Sequence, residues 1–441
     1  MVKVLPAAVK GVLLFMRLPI CGGNWNNTSN AGLGYLNLNN LRSNVNNNIG
    51  SRAALPGCQK PLHYGEEDRT RQKRSDTPPL WGNINRVERP VEETRTPLNP
   101  QKGNVHTVNG IWGNVIDFES LYKAFGKASQ RKRYTQSSMY FRQNLDENLI
   151  QIQNELIWRT YIPRPLRVFT IYEPKERQIA APDFRDRIVH HSLVAAIEPA
   201  FEHRFLSCSY ACRKGKGTHR AMVATQKMTR RAKRAWGSYW VLKCDVKKYF
   251  PSIRHDLLKA VIRRTIYDRN VLWLIDTIID SHGEERGIPI GALTSQLFAN
   301  IYLDQLDHYL KDNLGIKYYS RYMDDFIVLG KTKQELMEVK GQIDEYLELL
   351  DLHLNHRTGI WPGRHGIDFC GYRIWPTHIR PRKRTIRTIK RKLSVLRKRY
   401  PEGMQQIRKI LASFMGYIKH CDAWRTTHSV LSRAVFSPKG E

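Results

Sequence analysis

Ile316-Lys-Tyr-Tyr-Ser-Arg-Tyr-Met-Asp-Asp-Phe-Ile-Val-Leu329 is the stretch that decides the fold. Two β-rich runs, 316–322 and 326–329, flank Met323, Asp324 and Asp325, a pattern that predicts a β-hairpin with acids at its tip. Adjacent carboxylates repel each other. Holding both at an otherwise apolar turn is costly unless a cation neutralises them. A lone Asp-Asp pair reads more simply as an acidic turn, but here both flanks are apolar strands. About 80 residues upstream, Trp240-Val-Leu-Lys-Cys-Asp245 ends a second apolar strand on a third acid. Hard oxygen ligands of this kind suit Mg²⁺, which takes one or two carboxylates plus substrate phosphates. Three carboxylates on neighbouring strands would suit two such ions, an arrangement that stabilises both the attacking and the leaving oxygen in phosphoryl transfer.

Working outward, helical and strand periodicities mix without βαβ regularity, so the expected class is α+β. Phe118, Leu121, Tyr122 and Phe125 follow a candidate Asp117 cap, and Leu145, Leu149, Ile152 and Leu156 repeat at threes and fours. Strand-like runs cover 168–172 and 239–246. Leu336, Val339, Ile343, Leu347 and Leu350 mark a long amphipathic helix. The first hundred residues differ in kind: eleven asparagines crowd between Asn24 and Asn48, and residues 66–105 mix charges with prolines. Such composition buries too little apolar surface to offset its ordering entropy, so residues 1–105 are expected to be a disordered extension and linker.

The chain has 441 residues, 72 Lys+Arg against 40 Asp+Glu, and a formal net charge of +32. That charge points to polyanionic partners, nucleic acid before an anionic membrane surface. No apolar run is long enough to span a bilayer. The run Gly11–Met16 is short for a signal peptide and lacks a clear small-residue cleavage site. Seven scattered cysteines without a CxxC pair read as reduced thiols, so a cytoplasmic location is expected. Two tracts hold the charge. Arg213 to Arg234 carries nine basic residues and no acid, and Arg373 to Arg399 carries twelve and no acid. Each alone would pass for a solvated face; two such tracts bracketing the acids fit phosphate contacts better.

Tyr322-Met323-Asp324-Asp325 between apolar strands, with Asp245 upstream, resembles motifs A and C of reverse transcriptases. The resemblance extends over roughly 110 to 430. It implies a right-hand polymerase: fingers and palm over 106–378 and a helical thumb over 379–441. It also implies an RNA template, a DNA primer and dNTPs as partners, and two Mg²⁺ ions on Asp245, Asp324 and Asp325 with the backbone of Val246. On the same resemblance, Lys175 and Arg177 clamp the incoming triphosphate. Arg185 and Arg187 support the template channel or the folding of their own block. Phe250 lies beneath the sugar as a steric gate, Tyr322 and Met323 face the primer–template, and Gly371 and Tyr372 end the run 366–372 in a primer grip, with Asn355 in a neighbouring palm block. Leu393, Leu396, Ile407, Ile410, Leu411 and Phe414 would supply the thumb core.

The block Gly287-Ile-Pro-Ile-Gly-Ala-Leu-Thr-Ser-Gln-Leu-Phe-Ala-Asn300 narrows the resemblance. Group II intron enzymes have Pro-Gln-Gly and then Ser-Pro here. This chain has Ile290 and Gly291, then Ser295 and Gln296, which resembles the enzymes of diversity-generating retroelements, bacterial or phage-encoded. An Ile cannot hydrogen-bond the incoming nucleotide, and losing a polar check relaxes discrimination. The resemblance therefore implies errors at template adenines. The Asn-rich string from Gly22 to Arg52 looks like a translated template repeat of such an element, since adenine-rich codons encode Asn. A small basic accessory protein would then be a further partner. A retron-like or group II-like enzyme, and a non-catalytic or abortive-infection-type RNA-binding protein on the same scaffold, remain the alternatives.

Overall fold

Asp117 does cap a helix: its side chain accepts from Ser120 N at 3.0 Å, opening α2 (Phe118–Ser129) behind the short α1 (Trp112–Ile116). The structure, a computed structural model, describes residues 109–172, 176–398 and 404–434. The Asn-rich string and linker, Lys175, Arg399 and Tyr400 lie outside the described residues. Two further helices, α3 (Gln136–Gln143) and α4 (Leu145–Ile157), complete the first helical layer. This layer surrounds α5 (Phe184–Glu202), which is buried on most sides rather than along one stripe. Phe125, Phe141 and Phe184 bring their rings within 5.5–6.1 Å at this junction, and such aromatic pairs hold beyond simple area burial. Before α5 stands a two-stranded antiparallel hairpin, β1 (Arg167–Ile171) and β2 (Arg177–Ala181), with Ile171 paired to Arg177.

The central sheet has four antiparallel strands in the order β4-β5-β3-β6: β3 (Trp240–Asp245), β4 (Tyr319–Tyr322), β5 (Asp325–Gly330) and β6 (Gly359–Pro362). Apolar residues at every position of Phe326–Leu329 suit a strand covered on both faces, and all four are buried. The helices between β3 and β4 are α7 (Tyr249–Ser252), α8 (His255–Arg263), α9 (Arg269–Asp280) and α10 (Leu293–His308). Earlier, α6 (Thr218–Trp236) packs along β4, and α11 (Lys333–Leu349) packs on β3, β5 and β6. The start of α11 is fixed by a capping box between Thr332 and Glu335.

A second, three-stranded sheet follows, β7 (Ile367–Phe369), β8 (Tyr372–Ile374) and β9 (Ile379–Pro381). The break expected between 378 and 379 falls inside this sheet, because β9 pairs with β8; helical structure resumes only at α12 (Lys383–Arg397). With α13 (Met404–Ile418) and α14 (Trp424–Leu431), α12 encloses its own core of Ile389, Leu393, Ile407, Ile410, Phe414 and Val430, with Leu396 and Leu411 at its margin. Among the described residues no helix is long and apolar enough to cross a membrane.

Candidate active site

Strand register gathers the acids. Asp245, last residue of β3, lies opposite Asp325, first residue of β5, and Asp325 also faces Tyr322 of β4. The hairpin connection is therefore only Met323 and Asp324. This corrects the expected tip, since Asp325 belongs to a strand in mid-sheet. Met323 takes a left-handed φ of +58°, a conformation that costs an L residue roughly 1–2 kcal/mol. The Asp324 carbonyl accepts from Val246 N at 3.3 Å, so the turn is tied to the end of β3. Asn355 holds Asp245 twice: its backbone N donates to the Asp245 carbonyl at 2.7 Å and its Nδ2 to Oδ2 at 3.0 Å.

Burial pushes the Asp324 carboxyl up to about 6, and Asp245 beside it adds to the rise, while Arg177 and Lys243 pull it back. Burial pushes Asp325 up to about 7 against the opposing pull of Lys243. Lys243 Nζ stands 3.0 Å from Asp325 Oδ2 and donates to the Asp368 carbonyl at 2.9 Å. Asp325 Oδ1 is buried and has no hydrogen-bond partner. Carboxylates that resist ionisation, with one orphaned oxygen among them, fit a divalent cation. No three His, Cys, Asp or Glu side chains among the described residues form a ready-made cage.

Other expected site residues surround this rim. Arg177, exposed at the start of β2, is close enough to influence Asp324. Lys175 lies outside the described residues. Phe250 is half-buried on α7, and its carbonyl accepts from Ile288 N at 3.1 Å. Two residues on, the carbonyl of half-buried Ile290 accepts from Ala180 N at 2.9 Å, so backbone bonds join Phe250, the 287–291 loop and β2. Gly291 has φ +130°, and a Cβ there would lie 3.0 Å from Ile179 Cγ2 and 3.2 Å from the Ala180 carbonyl. Ser295 is buried and Gln296 half-buried in the first turn of α10. Tyr322 and Met323 are half-buried beside the acids.

Four residues expected to contact nucleic acid are buried instead. Arg185 is buried, ion-paired with Glu155 and Asp186 and stacked over the Tyr161 ring, so it serves its own block's folding. Tyr372 is buried, and its hydroxyl donates to the Tyr417 carbonyl at 2.9 Å and meets His219 Nε2 at 3.1 Å. Gly371 accepts from Tyr417 Oη at 2.5 Å, so both residues fasten the second sheet to α13. Arg213, in the first basic tract, is likewise buried against Glu202. Arg187 is half-buried and bonds the Pro182 carbonyl at 3.0 Å. Exposed cations include Arg220, Lys227, Arg230, Arg231, Lys233 and Arg234 on α6 and Lys383, Arg384, Arg387, Arg391 and Arg397 on α12, with Lys398 at its C-cap.

Three residues carry more weight than their sequence context suggests. Lys243 lies two positions before Asp245, hence on the same strand face, a signal that alternation alone offers. Arg321 and Asp307 form a wholly buried pair behind the turn.

Asp245 and Asp325 thus meet across paired strands with Asp324 in the adjoining turn, the kind of carboxylate arrangement that phosphoryl transfer uses. Residues 173–374 match the family model described as reverse transcriptase (RNA-dependent DNA polymerase). The chain is similar to Protein YkfC of Escherichia coli K12, 29% identical over 269 residues that cover 51% of this chain and 70% of that one. It is also similar to the group II intron-encoded protein LtrA of Lactococcus lactis subsp. cremoris, 28% identical over 176 residues. That match covers 37% of this chain and 28% of LtrA, so the chain spans under a third of that relative's length. A solved apo telomerase from Candida tropicalis aligns with TM-score 0.37 and 15% identity over 52% of this chain and 59% of that one. Over residues 173–374 the chain is thus similar to reverse transcriptases, RNA-directed DNA polymerases, and shares that similarity with YkfC and LtrA.

Proposed function

We propose that this chain extends a DNA primer on an RNA template with dNTPs, using Asp245, Asp324 and Asp325 as the metal-binding acids. The observation that carries the reading is the register pairing of Asp245 with Asp325 next to Asp324, with a buried Asp325 oxygen lacking a partner. Two bound Mg²⁺ ions would stabilise charge on the attacking and leaving oxygens. The chain's own residues do the rest. Asn355 orients Asp245. Arg177, with Lys175, meets the triphosphate. Phe250 lies beneath the sugar, where it excludes a ribose 2′-hydroxyl. Exposed cations of α6 and α12 follow the backbone of the hybrid, which is recognised by shape rather than by sequence. Template-directed incorporation of dNTPs with Mg²⁺ is the expected result; RNA binding without incorporation under any divalent ion would contradict it.

Ile290 and Gln296, with the Asn-rich string at 22–52, support the narrower reading of a diversity-generating retroelement enzyme. It copies a template-repeat RNA with errors at adenines, alongside a small basic accessory protein. Similarity to LtrA favours a group II-like enzyme of ordinary fidelity as the second reading. Ile290→Gln separates them. A fall in the adenine error rate of about tenfold, the scale of one lost polar check, fits the first. An unchanged rate leaves the second.

A further inference from the structure

Arg321 is completely buried, two residues before the catalytic turn. Its guanidinium makes four hydrogen bonds. Nε and Nη2 donate to Asp307 Oδ1 and Oδ2 at 2.7 and 2.5 Å, and Nη1 donates to Asn300 Oδ1 at 3.3 Å and to the Met323 carbonyl at 3.1 Å. Tyr319 Oη donates to Asp307 Oδ1 at 2.5 Å and so fixes the acceptor. Backbone bonds hold the residue on its other side: Arg321 N donates to the Cys208 carbonyl at 2.9 Å, and Tyr210 N donates to the Arg321 carbonyl at 3.0 Å.

Stability alone does not account for such a pair. A buried ion pair is often no more stabilising than apolar residues of the same volume. What distinguishes this one is its aim. Its last donor reaches the carbonyl of Met323, the residue forced into left-handed φ, where glycine would sit without strain. That carbonyl belongs to the peptide whose nitrogen is Asp324, so fixing it fixes how Asp324 leaves the turn. Asp307 and Asn300 both stand on α10, whose first turn carries Ser295 and Gln296. The guanidinium therefore joins the helix of the nucleotide block to the turn of the acids.

We propose that Arg321 is a positioning residue: anchored on Asp307, it holds the Met323 carbonyl, and through it Asp324, in the left-handed turn that the chemistry requires. The proposal rests on the polymerase reading above. Lysine cannot replace it, because a point charge cannot fork to a carboxylate and also reach Met323.

The test is a double-mutant cycle in single-nucleotide addition, with wild type, Arg321→Lys, Met323→Gly and the double variant. Arg321→Lys is expected to lower kcat about 100-fold, the scale of a misplaced catalytic group. The dNTP KM stays within about twofold, since ground-state binding is untouched. In the Met323→Gly background the loss shrinks to under about tenfold, because glycine adopts the turn unaided. Equal losses in the two backgrounds overturn the proposal, since a purely structural arginine gains nothing from a glycine at 323; so does a loss confined to KM. Should Arg321→Lys not fold, Asn300→Ala, which leaves the ion pair intact, takes its place in the same cycle and is judged by the same criterion. A wild type that incorporates no nucleotide sinks the polymerase reading and this proposal together. An active wild type with equal losses sinks only the role of Arg321.

Discussion

The two rims of the site are built in opposite ways. Asp245 and Asp325 stand on β3 and β5, the two middle strands of a four-stranded sheet with buried residues along both, and Asp324 sits in the turn that leads into β5. Arg177 stands on a two-stranded hairpin whose β1 is exposed at four of its five positions. A lone pair of strands is marginal by itself and depends on what it touches, here the Ile290 carbonyl. Groups that must keep sub-ångström geometry are fixed by core register. Arg177, proposed to close on each new nucleotide and then release it, sits where local opening is easiest.

Breaking the two rims is expected to give different signatures. Removing the charge of Asp245 by Asp245→Asn is expected to cost about 10³-fold or more in kcat, because electrostatic stabilisation of the transition state is lost outright. Arg177→Ala is expected to act mainly on KM for dNTP, by about tenfold, with the thermal midpoint within about 1 °C, since the residue is exposed. A kcat loss as large as that of Asp245→Asn would erase the contrast between the rims.

A stability measurement sharpens the comparison. Burial raises Asp324 to about 6 and Asp325 to about 7. Between the ordinary carboxylate range and those values, the native metal-free state binds more protons than the unfolded state. The stability contributed by these two carboxyls is therefore fully present below about pH 4 and is lost as pH rises through about 6–7. A drop of order 2 kcal/mol is expected across that window, after discounting for partial exposure and for Lys243. Thermal unfolding of the metal-free protein at pH 5 and pH 8 checks it. Asp325→Asn should flatten the slope and Mg²⁺ at pH 8 should oppose it, whereas Arg177→Ala should do neither.

A more local effect is expected at the loop that pairs with β2. Gly291→Ala forces a side chain into φ +130° against Ile179 and the Ala180 carbonyl. A loss of about 1–3 kcal/mol is expected, with KM for dNTP rising more than kcat falls.

Much of this was legible in the sequence. Apolar runs flanked by acids, one ending on Asp245 and one following Asp325, predicted β3 and β5, and the Asp117 cap and the 336–350 periodicity predicted α2 and α11. What periodicity could not show was register, so Asp325 was expected at the tip rather than in mid-sheet. Nor could it show long-range burial. Arg185 and Tyr372 look like ligand contacts by type and neighbourhood, yet both are consumed by partners elsewhere in the chain. Arg321 and Asp307 are 14 residues apart on a strand and a helix, and only the folded chain brings them together.

Single-turnover nucleotide addition on an RNA template–DNA primer, comparing wild type with Asp324→Asn at saturating dNTP and Mg²⁺, tests the carboxylate rim most directly. The isosteric change leaves the turn and its backbone bonds in place. Loss of addition by about 10³-fold with template–primer affinity unchanged is the expected result. Addition within about tenfold of wild type would contradict the assignment of Asp245, Asp324 and Asp325 as the site of the chemistry.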